Sequence, residues 1–128
     1  MTINDITYKI NGAIFKVNKI LGPGFLEKVY ENALLIELQN SGLKAINQAA
    51  INVKYSGSVV GEYFADLLVE DSVIVEIKTV DSLSKIHEAQ LLNYLKATGI
   101  TVGILVNFNK RKADIKRIVL NLPEGHES

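Results

Sequence analysis

Two apolar runs of this chain carry charges where a buried strand would be expected to have none. Residues 65–80 read ADLLVEDSVIVEIKTV, and Asp66, Glu76 and Lys78 stand among leucine, isoleucine and valine side chains. Burying an unpaired charge is costly. The three charged groups are therefore expected to compensate one another or to hold a ligand, and this requirement limits how the two strands can pair.

The spacing of the two runs predicts where the charges meet. If the turn between them is a three-residue loop, Val69 faces Val73 and Asp66 lies opposite Glu76. Directly opposed residues share one face of a sheet, and Lys78 joins that face because it is two residues from Glu76. The hairpin therefore predicts that two carboxylates and one lysine converge.

Such a cluster predicts a divalent metal site. Two opposed carboxylates repel each other unless a cation lies between them, and Lys78 supplies only one positive charge. Carboxylate oxygens, a backbone carbonyl and water are ligands that suit Mg²⁺ or Mn²⁺. The alternative is an exposed sheet face with an ordinary surface salt bridge, which contributes little to stability.

The rest of the chain predicts an α/β fold in which helices flank a mixed β-sheet. Apolar residues recur every three or four positions at 5–20 and 25–42, which predicts two helices. In the second helix, the apolar stripe is expected to comprise Phe25, Val29, Ala33 and Ile36. Three strands, a third helix, a buried strand and a possible edge strand are expected at 51–57, 62–70, 72–80, 82–99, 101–108 and 115–121.

Two of these helices bring further polar side chains toward the same region. Glu27 and Tyr30 are three residues apart and share a helical face, although Glu27 could equally complement the helix dipole and Tyr30 could be a core residue. His87, Gln90 and Tyr94 form one polar stripe, which could also be a solvated helix side. His87 is expected to be structural or to contact substrate rather than to bind metal.

The composition bears on where the protein is located and on what it can bind. The formal net charge is zero over 128 residues, which gives no global attraction to nucleic acid. Lys110 and Arg111 lie in the basic segment 109–117, which could contact phosphate or be a solvated loop. Cysteine is absent, and no apolar run approaches the roughly 20 residues that span a bilayer. We expect one domain over residues 1–128, in the cytoplasm, with no membrane partner.

Two short motifs on the helices resemble those of a known nuclease family. Gly24-x-x-Glu27-x-x-Tyr30 resembles the signature of the GxxExxY protein family, which is placed in the PD-(D/E)XK nuclease superfamily. Gln90-x-x-x-Tyr94 is similar to the QxxxY element of the RecB-like branch of that superfamily. The motifs occur in the expected order on the expected elements.

The charged hairpin completes this resemblance. Asp66, followed by Glu76-Ile77-Lys78, is similar to the D…(D/E)xK core of the superfamily, with Ala65 where the name of the superfamily has proline. The resemblance spans residues from about 5 to 118. It implies a restriction-endonuclease-like core with the order α-α-β-β-β-α-β and a possible last strand. It also implies a nuclease that uses Mg²⁺ or Mn²⁺ to hydrolyse phosphodiester bonds, with DNA as the expected partner.

The resemblance also implies a role for each matching residue. Asp66, Glu76 and the Ile77 carbonyl would hold the metal, and Glu27 would bind it through water or help to hold a second ion. Lys78 would position or activate the attacking water and steady charge at the scissile phosphate. Orientation of the lysine or contact with the nucleic-acid backbone would fall to Gln90 and Tyr94. Further substrate contacts are expected from Tyr30, His87, Lys110 and Arg111.

Two other functions fit the same sequence. A non-catalytic module that binds nucleic acid or protein could retain the fold, and the neutral net charge and small size favour it. A structural α/β domain with ordinary salt bridges would bind no metal specifically. A homo-oligomer is compatible with each of these functions, because a small chain with an apolar edge could self-associate.

Overall fold

The computed structural model describes residues 1–121, and the remaining residues of the expected single domain, 122–128, lie outside the described part. Three helices and five strands follow one another there in the predicted order. They are α1 (Ile3–Leu21), α2 (Glu27–Asn40), β1 (Ala45–Tyr55), β2 (Ser58–Val69), β3 (Val73–Lys78), α3 (Lys85–Thr98), β4 (Val102–Asn107) and β5 (Asp114–Val119). The possible edge strand at the end of the sequence is therefore present as β5.

The five strands form one sheet in the order β1-β2-β3-β4-β5. β3 and β4 are parallel, and every other neighbouring pair is antiparallel. α3 connects the two parallel strands, which need such a crossover. α1 and α2 cover one face of the sheet and α3 covers the other. The predicted α/β class, with a mixed sheet flanked by helices, is confirmed.

α1 begins at Ile3, two residues before the predicted helix over 5–20, after Thr2 as its N-cap. The Asp5 N–H donates to the Thr2 hydroxyl at 3.1 Å, and the Thr2 N–H donates to the Asp5 carboxylate at 2.9 Å. This reciprocal pair is a capping box, which satisfies backbone donors at the helix start. Ile6, Ile10 and Ile14 are buried against the sheet, so the apolar residues that recur at helical spacing over 5–20 form the buried face of this helix.

α2 buries a different stripe from the predicted one. Val29 and Ile36, which belong to the predicted stripe, are exposed. Tyr30, Leu34 and Leu38 are buried instead. Both stripes are apolar at helical spacing, so the period alone does not choose between them. Which stripe is buried depends on how α2 packs against α1 and the sheet, and this packing is part of the tertiary structure.

The register of the β2–β3 hairpin agrees with the predicted three-residue loop. Val69 pairs with Val73, and the pairing continues to Leu67 and Val75. In the loop between Val69 and Val73, Glu70 has a positive φ of 53°. The hairpin expected near Gly57 is also present, because β1 and β2 are joined only by residues 56–57, both with positive φ. Such two-residue turns match the twist of the strands they connect.

The pleat of the sheet is interrupted where β1 passes Asp66. Gln48 has a φ of 51° and falls between the paired residues on either side, level with Asp66 on β2. Residues two apart in a strand normally share a face. Leu67 nevertheless packs with α1 and α2, whereas Ala65 packs with α3. The odd-numbered residues of β2 therefore switch from one face of the sheet to the other at Asp66.

α3 begins after Ser84 and ends before Gly99, within the predicted range of 82–99. Gly99 has a φ of 75°, and its N–H donates to the Leu95 carbonyl at 2.9 Å. Leu91 and Leu95 are fully buried against the sheet. None of the helices in residues 1–121 is long and apolar enough to cross a membrane.

The close approach of α3 to β4 gives a stability prediction. A Cβ atom on Gly103 would lie 2.9 Å from the branched end of Leu91, so Gly103→Ala requires Leu91 or the helix to move. We expect a loss of about 1–3 kcal/mol in the free energy of unfolding, measured by urea denaturation. Gly12→Ala is the matched control, because it faces open space within α1 and should stabilise by up to about 1 kcal/mol. Equal effects of the two substitutions would contradict the tight packing at Gly103.

Candidate active site

The two carboxylates meet where the ladder between β2 and β3 ends. The last paired residues are Leu67 and Val75, and the same register brings Asp66 level with Glu76. Each side chain then bonds the opposite strand. The Asp66 N–H donates to Glu76 Oε2 at 2.7 Å, and the Ile77 N–H donates to Asp66 Oδ2 at 2.7 Å. The carboxylates thus continue the pairing of the strands and are held beside each other.

Burial makes this carboxylate pair electrostatically unfavourable. Glu76 is 5% exposed, and burial, followed by the charge of Asp66, raises the pKa of Glu76 to about 8. Burial also raises the pKa of Asp66, and the charges of Glu31 and Glu27 add to this effect. Lys78 acts in the opposite direction on both carboxylates, but burial outweighs it. The site therefore has less positive charge than two ionised carboxylates require.

Lys78 lies at the carboxyl end of the parallel pair β3 and β4. It is paired with Asn107, and the Phe108 N–H donates to the Lys78 carbonyl at 3.0 Å. The fully buried Asn107 side chain bonds both backbone groups of Val80, at 2.8 and 3.1 Å. Asn107 thereby fastens the segment that follows Lys78. Asn107 was not among the predicted site residues, although a polar residue at the end of an apolar strand is a signal for such a role.

The first motif builds the turn that precedes α2. The Tyr30 hydroxyl donates to the Gly22 carbonyl at 2.5 Å and accepts from the Phe25 N–H at 3.2 Å. The Tyr30 ring stacks on Phe108 with centroids 4.6 Å apart. This anchoring places Glu27 as the first residue of α2. Tyr30 is fully buried, so the expected substrate contact of Tyr30 is wrong: the residue supports the turn.

A second glutamate on α2 was missed by the sequence analysis. Glu31 is 4% exposed and bonds Lys28 at 2.6 Å and the Gln48 amide at 2.8 Å. Gln48 lies level with Asp66 on the neighbouring strand, so this bond brings Glu31 toward the carboxylate pair, and the charge of Glu31 helps to raise the pKa of Asp66. The signal was its position four residues after Glu27, on the same helical face.

The stripe on α3 divides into three different environments. Tyr94 is buried in one cluster with Ala65 and Ile74, and burial, followed by the charges of Glu76 and Asp66, raises the pKa of Tyr94. Gln90 is exposed. The His87 ring accepts from the Ser84 N–H at 3.0 Å, which caps α3. This contact gives His87 a structural role, and no contact ties it to the carboxylates within residues 1–121. A substrate contact by His87 stays a prediction.

The basic residues Lys110 and Arg111 lie in the loop that follows β4. This loop starts at the same end of the sheet as Lys78, because β3 and β4 are parallel and Lys78 pairs with Asn107. The Asn18 side chain holds it by donating to the Lys110 carbonyl at 3.2 Å and accepting from the Ala113 N–H at 3.0 Å. The loop is thus fixed near the site, and phosphate contacts by Lys110 and Arg111 stay a prediction.

The donor set at the carboxylate pair fits a hard divalent cation. One oxygen of Asp66 and one of Glu76 accept backbone N–H groups, which leaves the second oxygen of each for a ligand. A strand residue directs its N–H and C=O toward the same neighbour, so the Ile77 carbonyl faces the side of Asp66. In the part of the chain that the structure describes, no three His, Cys, Asp or Glu side chains cluster as metal ligands. Water would complete the shell, as is usual for Mg²⁺.

Comparison with known proteins agrees with this architecture. Residues 4–118 match the family described as the PD-(D/E)XK nuclease superfamily, and the chain belongs to that superfamily. Among curated proteins, none matches the sequence.

Two solved structures resemble the fold. The crystal structure of SSO0001 has a TM-score of 0.60 and 20% identity, with 94% of this chain and 63% of that chain covered. The chain thus spans less than two thirds of SSO0001. LHK-Exo in complex with dAMP has a TM-score of 0.52 and 12% identity, with 90% and 83% covered. LHK-Exo is described as an alkaline exonuclease from Laribacter hongkongensis.

The anchoring role of Tyr30 predicts the effect of removing its hydroxyl. Tyr30→Phe keeps the stacked ring but leaves the Gly22 carbonyl and the Phe25 N–H without this partner. We expect a loss of about 1–3 kcal/mol in the free energy of unfolding, measured by chemical denaturation. Tyr8→Phe, at an exposed tyrosine of α1, should change it by less than about 0.5 kcal/mol. A Tyr30→Phe variant as stable as the wild type would contradict the anchoring role.

The raised pKa of Glu76 predicts how metal-free stability depends on pH. Between pH 4.5 and about 8, Glu76 is protonated in the folded chain but ionised in the unfolded chain. The unfolded state then binds fewer protons, so stability is fully present below pH 4.5 and falls as the pH rises to about 8. We expect a total loss on the order of a few kcal/mol, measured by denaturation in EDTA.

The control for this prediction is Glu76→Gln, which cannot ionise and keeps an oxygen for the Asp66 N–H. It should flatten the decline in stability across the same pH window. Wild-type stability that rises between pH 5 and about 8 in EDTA would show that the carboxylate pair is not electrostatically unfavourable in the folded chain.

Proposed function

We propose that this chain is a divalent-metal-dependent nuclease that hydrolyses phosphodiester bonds, with DNA as its substrate. The observation that carries the proposal is the buried pair of Asp66 and Glu76. The charge of Lys78 does not offset the cost of burying these two carboxylates. Membership in a nuclease superfamily supports the reaction class. The matching motif on α2 leads us to place the chain in the GxxExxY group of that superfamily.

In this proposal Asp66, Glu76 and the Ile77 carbonyl bind Mg²⁺ or Mn²⁺. When bound, such an ion lowers the pKa of a coordinated water and neutralises charge that develops on phosphorus. The rigid strands orient the two carboxylates before any ligand arrives, because each is bonded to the opposite backbone. Glu27 adds negative charge from the start of α2, which suits a contact through water or a second ion.

Lys78 is the proposed partner of the attacking water and of the scissile phosphate. It lies two residues beyond Glu76 on the same strand, and its side chain is only partly buried. A cation in this position orients the water and stabilises negative charge at the phosphate. The charges of Glu76 and Asp66 act on Tyr94, which suits it to orient Lys78, while the exposed Gln90 is suited to contact the nucleic-acid backbone.

A non-catalytic binding module is the second candidate function. It is favoured by the zero net charge and by the lack, within residues 1–121, of a cluster of three side chains that could hold a metal ion. Such a module would bind metal or nucleic acid without cleaving it. Self-association and a cytoplasmic location stay predictions of the sequence, and sedimentation of the purified chain would test the first.

Two substitutions test the proposed roles separately. Asp66→Asn should abolish Mn²⁺ and Mg²⁺ binding in calorimetry, because it removes one of the two carboxylates. Lys78→Ala should keep metal binding but lower DNA cleavage by about 100-fold or more, because lysine is not a ligand. Matched controls are Asp71→Asn and Lys19→Ala, at an exposed aspartate of the same hairpin and an exposed lysine of α1.

The outcomes separate the candidate functions. Metal binding that is lost in Asp66→Asn, together with cleavage that is lost in Lys78→Ala, would support the nuclease. Metal binding without cleavage of single-stranded or duplex DNA would favour the binding module. Cleavage by Lys78→Ala at the wild-type rate would show that the assignment of Lys78 is wrong.

A further inference from the structure

A groove of about 920 Å³ runs between α3 and the outer part of the β1–β2 hairpin. Asn52 and Lys54 line it from β1, Tyr63 from β2, and Asn93 and Lys96 from α3. None of the motifs discussed above includes any of these five residues. The groove therefore needs an explanation beyond the metal site.

The groove borders the candidate active site through Tyr94. Gln90 and Tyr94 line it from α3, and Tyr94 belongs to the same buried cluster as Ala65 and Ile74, which are close neighbours of Asp66 and Glu76 in the sequence. A ligand in the groove would thus lie next to the strands that carry the carboxylate pair. The apolar depression between α1 and α2 is smaller, about 200 Å³, and is lined mainly by aliphatic side chains.

The aromatic side chains of the groove form a platform. Tyr63 is 49% exposed, whereas Tyr94 is 7% exposed. Their ring centroids are 5.6 Å apart at an angle of 43°, so the buried ring supports the exposed one. An exposed aromatic ring that is held in place is suited to stack against a nucleic-acid base.

The charged and polar side chains complement the same ligand. Lys54 and Lys96 stand on opposite walls, and no acidic residue lines the groove within residues 1–121. Two lysines around an aromatic ring suit a phosphate backbone whose bases are free to stack. The amides of Asn52 and Asn93 can both donate and accept hydrogen bonds at base edges.

We propose that this groove binds an unpaired nucleic-acid strand and leads it to the carboxylate pair. A base stacks on Tyr63 while Lys54 and Lys96 contact the flanking phosphates. The inference rests on the proposed nuclease function and names its substrate class as single-stranded nucleic acid. A blunt duplex does not fit this use of the groove, because its paired bases have no free face to stack on Tyr63.

The test uses the full chain in EDTA, so that binding is measured without cleavage. The probe is a labelled oligodeoxythymidylate of about 12 nucleotides, compared with a blunt duplex of the same length. Tyr63→Ala and Tyr63→Leu remove the ring, whereas Tyr63→Phe keeps it. Tyr55→Ala is the matched control, because Tyr55 is 74% exposed on the same hairpin but does not line the groove.

We expect the two variants that lack the ring to bind the single strand about tenfold more weakly. Tyr63→Phe and Tyr55→Ala should stay within about twofold of the wild type. Lys54→Gln combined with Lys96→Gln should reduce the slope of log K against log salt by about 1.4, since each phosphate contact on a single strand contributes about 0.7. Lys19→Gln, at an exposed lysine of α1, should leave that slope unchanged.

Two results would overturn the inference. One is a Tyr63→Leu variant that is folded and binds the single strand as tightly as the wild type. The other is a wild type that binds the blunt duplex at least as tightly as the single strand.

Failure of the groove and failure of the nuclease are distinguishable. If metal binding and cleavage are observed but the groove variants have no effect, the groove assignment fails and the nuclease stands. If the single strand binds through Tyr63 but Asp66→Asn leaves metal binding unchanged, the groove stands and the proposed catalytic site fails.

Discussion

Two carboxylates buried at the end of a hairpin ladder are the constraint on which the rest of this structure depends. Asp66 and Glu76 each accept an N–H from the opposite strand at 2.7 Å, so the strands hold the two charges together. Burial and the neighbouring charge favour a proton on Glu76, whose pKa is raised to about 8. The fold thus maintains an arrangement that is unfavourable by itself but prepared for a ligand that brings positive charge.

The surrounding elements hold this arrangement from two sides. Gln48 adopts a left-handed backbone conformation level with Asp66, and its amide bonds Glu31 at 2.8 Å. A non-glycine residue in that conformation persists only where its neighbours hold it, and such residues concentrate at functional sites. On the side of α2, the Tyr30 hydroxyl fastens the turn that places Glu27 at the helix start. Backbone strain and buried polar contacts therefore meet around the carboxylate pair of β2 and β3.

Much of the site could be predicted because it depends on local geometry. The loop between β2 and β3 sets the register, and the register brings Asp66 level with Glu76. The ends of α3 depend on local chemistry too, since Ser84 and Gly99 favour the backbone conformations of the two caps. Glu31 was missed because its position four residues after Glu27 shows only a shared helical face, whereas its contact with Gln48 comes from another element.

The sequence by itself determined the order of helices and strands, the pairing of the charged hairpin and the motifs that match a nuclease superfamily, because periodicity and turn chemistry act over a few residues. Only the tertiary structure decided which apolar stripe of α2 is buried, and that Tyr30 supports a turn instead of meeting a ligand. It also decided that Tyr63 and Tyr94 meet across a groove. These outcomes depend on how distant segments dock, and burial is a property of the whole packed chain.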